Sequence, residues 1–168
     1  IYPDQPYDQP PIVDPDTGNI VVAPEELPHD YRNKEMTLLN IVQEKVDNGE
    51  KVLVYYSWPN RTELGEKLPR LFAENDIKAV TLKASVKSSE REAWIKKQVE
   101  EENIDVLVVN PSLVDTGLDL LDFTTIVFYQ VGYNLFTMRQ ASRRSWRLSQ
   151  TKDVEVYYMY YKRTVQEQ

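Results

Sequence analysis

Residues 137–150 read TMRQASRRSWRLSQ and gather four arginines, Arg139, Arg143, Arg144 and Arg147, in a chain whose formal net charge is −7. Coiled as a helix, the stretch sets Gln140, Arg144 and Arg147 at successive one-turn spacings on one face. Arg139 and Arg143 project from a neighbouring face, with Trp146 close by. A guanidinium is planar, permanently charged and able to hold a phosphate through two parallel hydrogen bonds. The chemistry such a face suits is stabilisation of charge developing on a phosphoryl group. Taken alone, an arginine cluster is better read as a solvated basic helix surface.

Other chemistries are closed off by residue type. The chain has no cysteine, which removes disulfides and thiolate catalysis, and its one histidine is His29. A histidine-based metal site or a Ser-His-Asp triad would rest on that residue alone, and no metal site is expected. No G-x-x-x-x-G-K-[ST] and no G-x-G-x-x-G occurs among the five glycines, so the chain lacks a glycine-rich phosphate cradle. A nucleotide addressed by the arginine face must therefore be held by another domain. The sequence pI near 4.8 argues against a generally basic nucleic-acid binder and confines any such contact to a local patch.

The elements that would position this face follow from pattern. Seven of the ten prolines and seven acidic residues fall in residues 1–30, with no Lys or Arg there. Such a segment cannot be helical and buries little, so an extended arm or linker is expected, with a turn at 16–19 and a short strand at 20–22. The chain starts at Ile1, inside this stretch, and reads as a fragment of a longer protein. A helix is expected over residues 34–48, with Leu38, Leu39, Val42 and Val46 as its stripe and Gly49 as its stop. KVLVYYSW, residues 51–58, reads as a buried strand. A helix over 62–75 contains Pro69, which predicts a kink or a late start.

A strand at 79–83 comes next, then a helix to about residue 102 opened by Ser89 and Glu92 at the spacing of a capping box. Residues 105–109 form a strand, 110–119 a loop, 125–130 a strand, and 154–161 a last strand after the arginine stretch. Continuously apolar strands alternating with helices specify a parallel sheet covered on both faces. Ligands of such sheets sit at the carboxyl ends of the strands. Ser57 and Trp58, the loop NPSLVDTGLD at 110–119, and the arginine stretch all follow strand ends, and so are expected on one edge.

In this order the stretches resemble the second RecA-like lobe of superfamily II helicases and translocases. Q-x-x-x-R-x-x-R, on Gln140, Arg144 and Arg147, is similar to that family's motif VI. TGLDL, residues 116–120, is similar to the end of motif V, and VLVYYSW to motif IV. The form QASRRSWRLSQ resembles the Swi/Snf-like branch. There are departures. Asn110 and Pro111 stand where motif V begins with a serine or threonine followed by threonine, which leaves Ser112 to take the phosphate contact. Ser149 stands in place of glycine, and Ser145-Trp146 in place of a small residue and histidine.

The resemblance implies a RecA-like, P-loop-NTPase-like three-layer α/β fold over residues 34–168, without a P-loop, behind an arm over 1–33. It implies ATP with Mg²⁺ in a cleft, held mainly by an N-terminal RecA-like lobe of the same protein. Arg144 and Arg147 would be catalytic arginine fingers, with Gln140, Gly117 and Asp119 near the nucleotide. Ser57, Trp58 and Ser112 would meet nucleic acid, with DNA the expected partner. The implied function is the C-terminal motor lobe of an ATP-dependent DNA helicase or translocase, inactive and monomeric alone, cytoplasmic, and nucleoid-associated in a bacterium. The alternative is a nucleic-acid-binding or regulatory module that keeps the fold without ATPase activity. An unrelated small-molecule enzyme on a similar sheet is disfavoured by the missing glycine-rich loop and the single histidine. No run of eighteen apolar residues spans a membrane.

Overall fold

The computed structural model describes residues 12–14, 17, 19–22, 33–56, 62–114, 118, 120–130 and 152–162. Two short strands, β1 (Ile12–Val13) and β2 (Ile20–Val22), pair antiparallel as a small ribbon. Around its turn the Asp14 amide donates to the Asn19 carbonyl at 2.9 Å. The expected strand at 20–22 thus has its partner inside the proline-rich segment itself.

The remaining elements alternate. They are α1 (Asn33–Asp47), β3 (Lys51–Tyr55), α2 (Thr62–Ala73), β4 (Ala79–Leu82), α3 (Arg91–Glu100), β5 (Val106–Val109), β6 (Phe123–Phe128) and β7 (Glu155–Tyr158). The last five strands form one sheet in the order β4-β5-β3-β6-β7, and every neighbouring pair is parallel. Alternate residues of each strand face opposite sides. Val52, Val54, Val106 and Val108 pack with Leu38, Leu39 and Val42 of α1 and Leu68, Leu71 and Phe72 of α2. Leu53, Tyr55, Leu107, Val109, Ile126 and Phe128 pack on the other face with Ile95 and Val99 of α3. This is the three-layer RecA-like architecture expected from the alternation of pattern.

Several local features differ from expectation. Pro69 lies inside α2, yet the helix starts at Thr62 as the pattern predicts. Proline cannot donate to the carbonyl four residues back, that of Gly65. The Thr81 hydroxyl of β4 donates to that carbonyl instead. Gly65 also leaves room for the Tyr56 hydroxyl, from which an added Cβ would stand 3.1 Å.

The capping box at α3 is absent. A 3₁₀ turn, Ser88–Glu90, leads into the helix, whose N-cap is Glu90 and makes no side-chain capping bond. The 3₁₀ turn satisfies the leading amide through its own backbone, Glu90 N donating to Lys87 O at 2.8 Å.

β6 begins at Phe123, two residues before the expected start, because a bulge lets Phe123 pair with Lys51 while Thr125 pairs with Val52. The hydroxyls of Thr124 and Thr125, both buried, donate to Glu50 Oε2 at 3.2 and 3.0 Å. β3 ends at Tyr55, short of the expected 58, and β7 covers only the first part of 154–161. At α1 the stop falls as expected on Gly49, whose φ of +76° is the left-handed conformation that glycine adopts at no steric cost.

At the amino edge of the sheet, α1 is tied to β7 by charge. Lys45 Nζ lies 3.0 Å from Glu155 Oε2 and 3.7 Å from Glu50 Oε1, and the Tyr157 hydroxyl donates to Glu155 Oε2 at 2.7 Å. That hydroxyl first, and Lys45 second, hold the Glu155 carboxyl below its ordinary value of 4.5. The bond to Glu155 raises Lys45 above 10.5 and Tyr157 above 10.0. A lowered carboxylate stabilises the fold above its unfolded pKa, and that contribution is lost as pH falls through the folded value. A raised lysine or tyrosine stabilises below its unfolded pKa and is lost as pH rises through the folded value.

Glu155→Gln is therefore expected to lower the urea midpoint most near about pH 7, with the gap from wild type narrowing toward about pH 3 and about pH 11. A gap that does not change with pH would remove the charge cluster as its cause.

Candidate functional site

Parallel pairing brings five strand exits to one edge. Tyr56 N donates to Val109 O at 3.2 Å, Tyr129 N to Tyr55 O at 2.9 Å, and Met159 N to Phe128 O at 3.0 Å, so the chain leaves β3, β5, β6 and β7 side by side. β3 leads toward β4 on one side of the sheet, whereas β6 leads toward β7 on the other. Where neighbouring strands send their chains in opposite directions, a crevice opens at the carboxyl edge, the position at which such sheets take ligands.

After β5 the chain makes a 3₁₀ turn, Pro111–Leu113, capped by Asn110. Asn110 is buried, and its Oδ1 accepts from both the Ser112 amide at 3.0 Å and the Ser112 hydroxyl at 2.7 Å. Pro111 suits the first position of such a turn, since its missing N–H has no partner to find there. Asn110-Pro111 is therefore a capped turn that leaves Ser112 exposed. Arg91 reaches this turn from α3, donating from Nη1 to Leu113 O at 2.8 Å and from Nε to Val86 O at 3.1 Å.

Of the other residues singled out from sequence, Ser57, Trp58, Gly117, Asp119, Gln140, Arg144 and Arg147 lie outside the described residues. Their anchors lie within them. Tyr56, half-buried at the end of β3, directly precedes Ser57, and burial pushes its hydroxyl pKa up. Leu118 and Leu120, both buried, flank Asp119. Tyr129 and Gln130, at 1 % and 3 % exposure, begin the connection that carries the arginines.

Lys34 is a feature that pattern reading passed over as the first residue of a helix. Because α1 runs antiparallel to β3, its start lies at the carboxyl edge. There the Lys34 ammonium sits 4.9 Å from the centroid of the Tyr129 ring and 5.0 Å from that of Tyr161. It joins the residues leaving β6 to those leaving β7 by cation–π attraction. Its neighbour Glu35, also buried, accepts from Lys67 of α2 at 2.8 Å. The missing signal was spatial, because neither tyrosine is near Lys34 in sequence.

Among the described residues there is no group of three His, Cys, Asp or Glu side chains suited to a metal ion, and no helix long and apolar enough to cross a membrane.

The chain belongs to the helicase conserved C-terminal domain family, whose model matches residues 33–149. Within it, the chain is a second RecA-like lobe of superfamily II, similar to the Swi/Snf-like branch. The ATP-dependent helicase FUN30 of Saccharomyces cerevisiae is 25% identical over 122 residues, which are 73% of this chain and 10% of that protein. The chromatin-remodeling ATPase INO80 of Drosophila melanogaster is 27% identical over 150 residues, 89% of this chain and 9% of the relative. The ATP-dependent DNA helicase DDM1 of Arabidopsis thaliana is 29% identical over 111 residues, 66% of this chain and 14% of the relative. The chain thus spans about a tenth of the length of these relatives. The crystal structure of the C-terminal part of the Fun30 ATPase domain shares the fold, with a TM-score of 0.74, 24% identity, and coverage of 84% of this chain and 46% of that one.

Proposed function

We propose that the chain is the C-terminal motor lobe of an ATP-dependent DNA helicase or translocase, working with an N-terminal RecA-like lobe of the same protein. The observation that carries this reading is the family match over residues 33–149, a range that holds Gln140, Arg144 and Arg147. The names of the relatives, an ATP-dependent helicase, a chromatin-remodeling ATPase and an ATP-dependent DNA helicase, support the same class.

The nucleotide, as its Mg²⁺ complex, is held mainly by the first lobe, since this chain has no glycine-rich phosphate cradle. ATP supplies the phosphoryl group whose transfer drives the motor. From this side of the cleft, Arg144 and Arg147 stabilise charge on that group. Gln140 positions the arginine face, and Gly117 and Asp119 border the nucleotide. Ser57, Trp58 and Ser112 meet the DNA: Trp58 through its ring, Ser57 as a hydrogen-bond donor to phosphate, and Ser112 from the exposed middle of its turn.

Half of a composite site does not turn over. The isolated chain is expected to hydrolyse no ATP, whereas the full-length parent hydrolyses it faster when duplex DNA is added. The check is phosphate release by both proteins, with and without DNA. Turnover by the isolated chain would overturn the composite site. A folded parent with no ATPase activity would leave a nucleic-acid-binding module on a helicase fold.

A further inference from the structure

α1 lies across β7 with a lysine toward each end. Tyr157, Met159 and Tyr161 alternate along one side of β7 and the residues after it, the side on which Tyr157 and Met159 pack with Leu38, Leu39 and Val42. Lys45, in the last turn of α1, sits 6.0 Å from the centroid of the Tyr157 ring at the amino edge. Lys34, about three turns earlier on the same face of the helix, sits 5.0 Å from that of Tyr161 at the carboxyl edge. The two ends differ in what else they hold. Lys45 reaches the carboxylates of Glu50 and Glu155. Lys34 faces a second ring, that of Tyr129 at 4.9 Å, and Tyr129 begins the connection that carries the arginines.

A lysine is costly at the Lys34 position. The residue is 5 % exposed, and burying an ammonium is unfavourable unless it is compensated. It also stands in the first turn of α1, at the positive end of the helix dipole. An uncharged side chain of the same length would fill the space without either cost. What the charge adds is attraction to two ring faces at once, which holds the rings at a set separation. At Tyr129 and Tyr161 both chains have passed the paired register that ends at Phe128 and Tyr158, so Lys34 grips them where the strand ladder no longer does.

We propose that Lys34 is a positioning residue for phosphoryl transfer: by holding Tyr129 and Tyr161 together at the carboxyl edge, it fixes the start of the connection that carries Arg144 and Arg147. The proposal rests on the motor reading. It gives Lys45, the same side chain at the far end of the same helix, a structural role alone.

The test uses the full-length parent with duplex DNA as probe. It reads the maximal ATPase rate, the KM for ATP, the DNA concentration giving half-maximal stimulation, and the urea midpoint. Lys34→Met keeps the length of the side chain and removes its charge. Its maximal rate is expected to fall about tenfold or more, within the about 10²-fold that a misplacement of about 1 Å costs. KM and the DNA requirement should stay within about twofold of wild type, since the nucleotide is held mainly by the other lobe and the DNA contacts lie on the exits of β3 and β5. Lys45→Met is expected to lower the urea midpoint with the maximal rate within about twofold of wild type. Tyr161→Leu should match Lys34→Met, and Tyr161→Phe, which keeps a ring face for the cation, should restore most of the rate. On an Arg147→Ala background Lys34→Met should add little, because the finger whose place it sets is already missing.

An unchanged maximal rate in Lys34→Met overturns the positioning role. So does an equal fall in Lys45→Met, which would mark a general loosening of α1. A change confined to KM or to the DNA requirement overturns it too, as does a full tenfold fall on the Arg147→Ala background. A loss in Tyr161→Phe equal to that in Tyr161→Leu removes the ring face as the cause. All of these leave the motor reading standing. A folded wild-type parent that hydrolyses no ATP, or an Arg147→Ala variant that turns over like wild type, fails that reading, and the positioning role falls with it. Should Lys34→Met not fold, Tyr161→Leu carries the same comparisons.

Discussion

Arg147→Ala in the full-length parent is expected to lower DNA-stimulated ATP turnover by about 10³-fold or more, the usual scale for an arginine finger. That factor corresponds to about 4 kcal/mol of transition-state stabilisation. The reason is geometric as well as electrostatic. On the helix proposed for this stretch, Arg147 would share a face with Arg144 and Gln140 and with them address one target, whereas Arg139 and Arg143 would face elsewhere. A guanidinium presented to a phosphoryl group in a closed cleft gains most as charge develops there, so its loss falls on turnover more than on nucleotide binding.

The comparison that gives the result meaning is Arg139→Ala, which removes the same charge from the neighbouring face. It is expected to weaken DNA stimulation by only a few-fold and to respond to salt, as a surface contact does. Arg147→Lys should recover little, because the bidentate fork is lost even though the charge remains. If turnover in Arg147→Ala matched wild type under saturating DNA, the finger assignment would be wrong.

Phe128→Ala is expected to destabilise the domain by about 4 kcal/mol, measured as a fall in the urea midpoint at unchanged slope. Phe128 is 1 % exposed in β6. Its ring stacks on Tyr55 of β3, with centroids 5.0 Å apart and 24° between planes, and on Tyr158 of β7, again at 5.0 Å and at 4°. These rings bind three neighbouring strands at the ends where the chain enters the candidate site. Truncation removes the transfer free energy of a buried ring, leaves a cavity that strands cannot collapse to fill, and deletes two stacking contacts worth about 0.5–1.5 kcal/mol each.

Tyr158, at 47 % exposure, provides the contrast. Tyr158→Ala gives up one stack and little burial, so a loss of about 1 kcal/mol is expected. A Phe128→Ala loss no larger than that of Tyr158→Ala would mean the site collapses around the missing ring.

Much of this molecule was determined by short-range pattern. The stripe Leu38, Leu39, Val42 and the Gly49 stop define α1, because helical periodicity and a left-handed stop are local properties of the chain. The apolar runs at residues 52–55 and 106–109 define buried parallel strands, because only a sheet covered on both faces needs apolar side chains at every position. The spacing of Gln140, Arg144 and Arg147 is read from the sequence alone, since these residues lie outside the described ones.

The tertiary structure alone decided whatever depends on a partner distant in sequence. Pro69 is tolerated in α2 because Thr81, on another element, supplies the hydrogen bond that proline removes. β6 starts early because a bulge opposite Lys51 lets the Thr124 and Thr125 hydroxyls reach Glu50. Lys34 became an edge residue only when Tyr129 and Tyr161 closed around it. Arg91, which sequence places in a helix start, reaches both Val86 O and Leu113 O because β4 and β5 are neighbours and leave the sheet together. A backbone carbonyl carries no mark in the sequence of which side chain will satisfy it, so these pairings appear only once the strand order β4-β5-β3-β6-β7 is known.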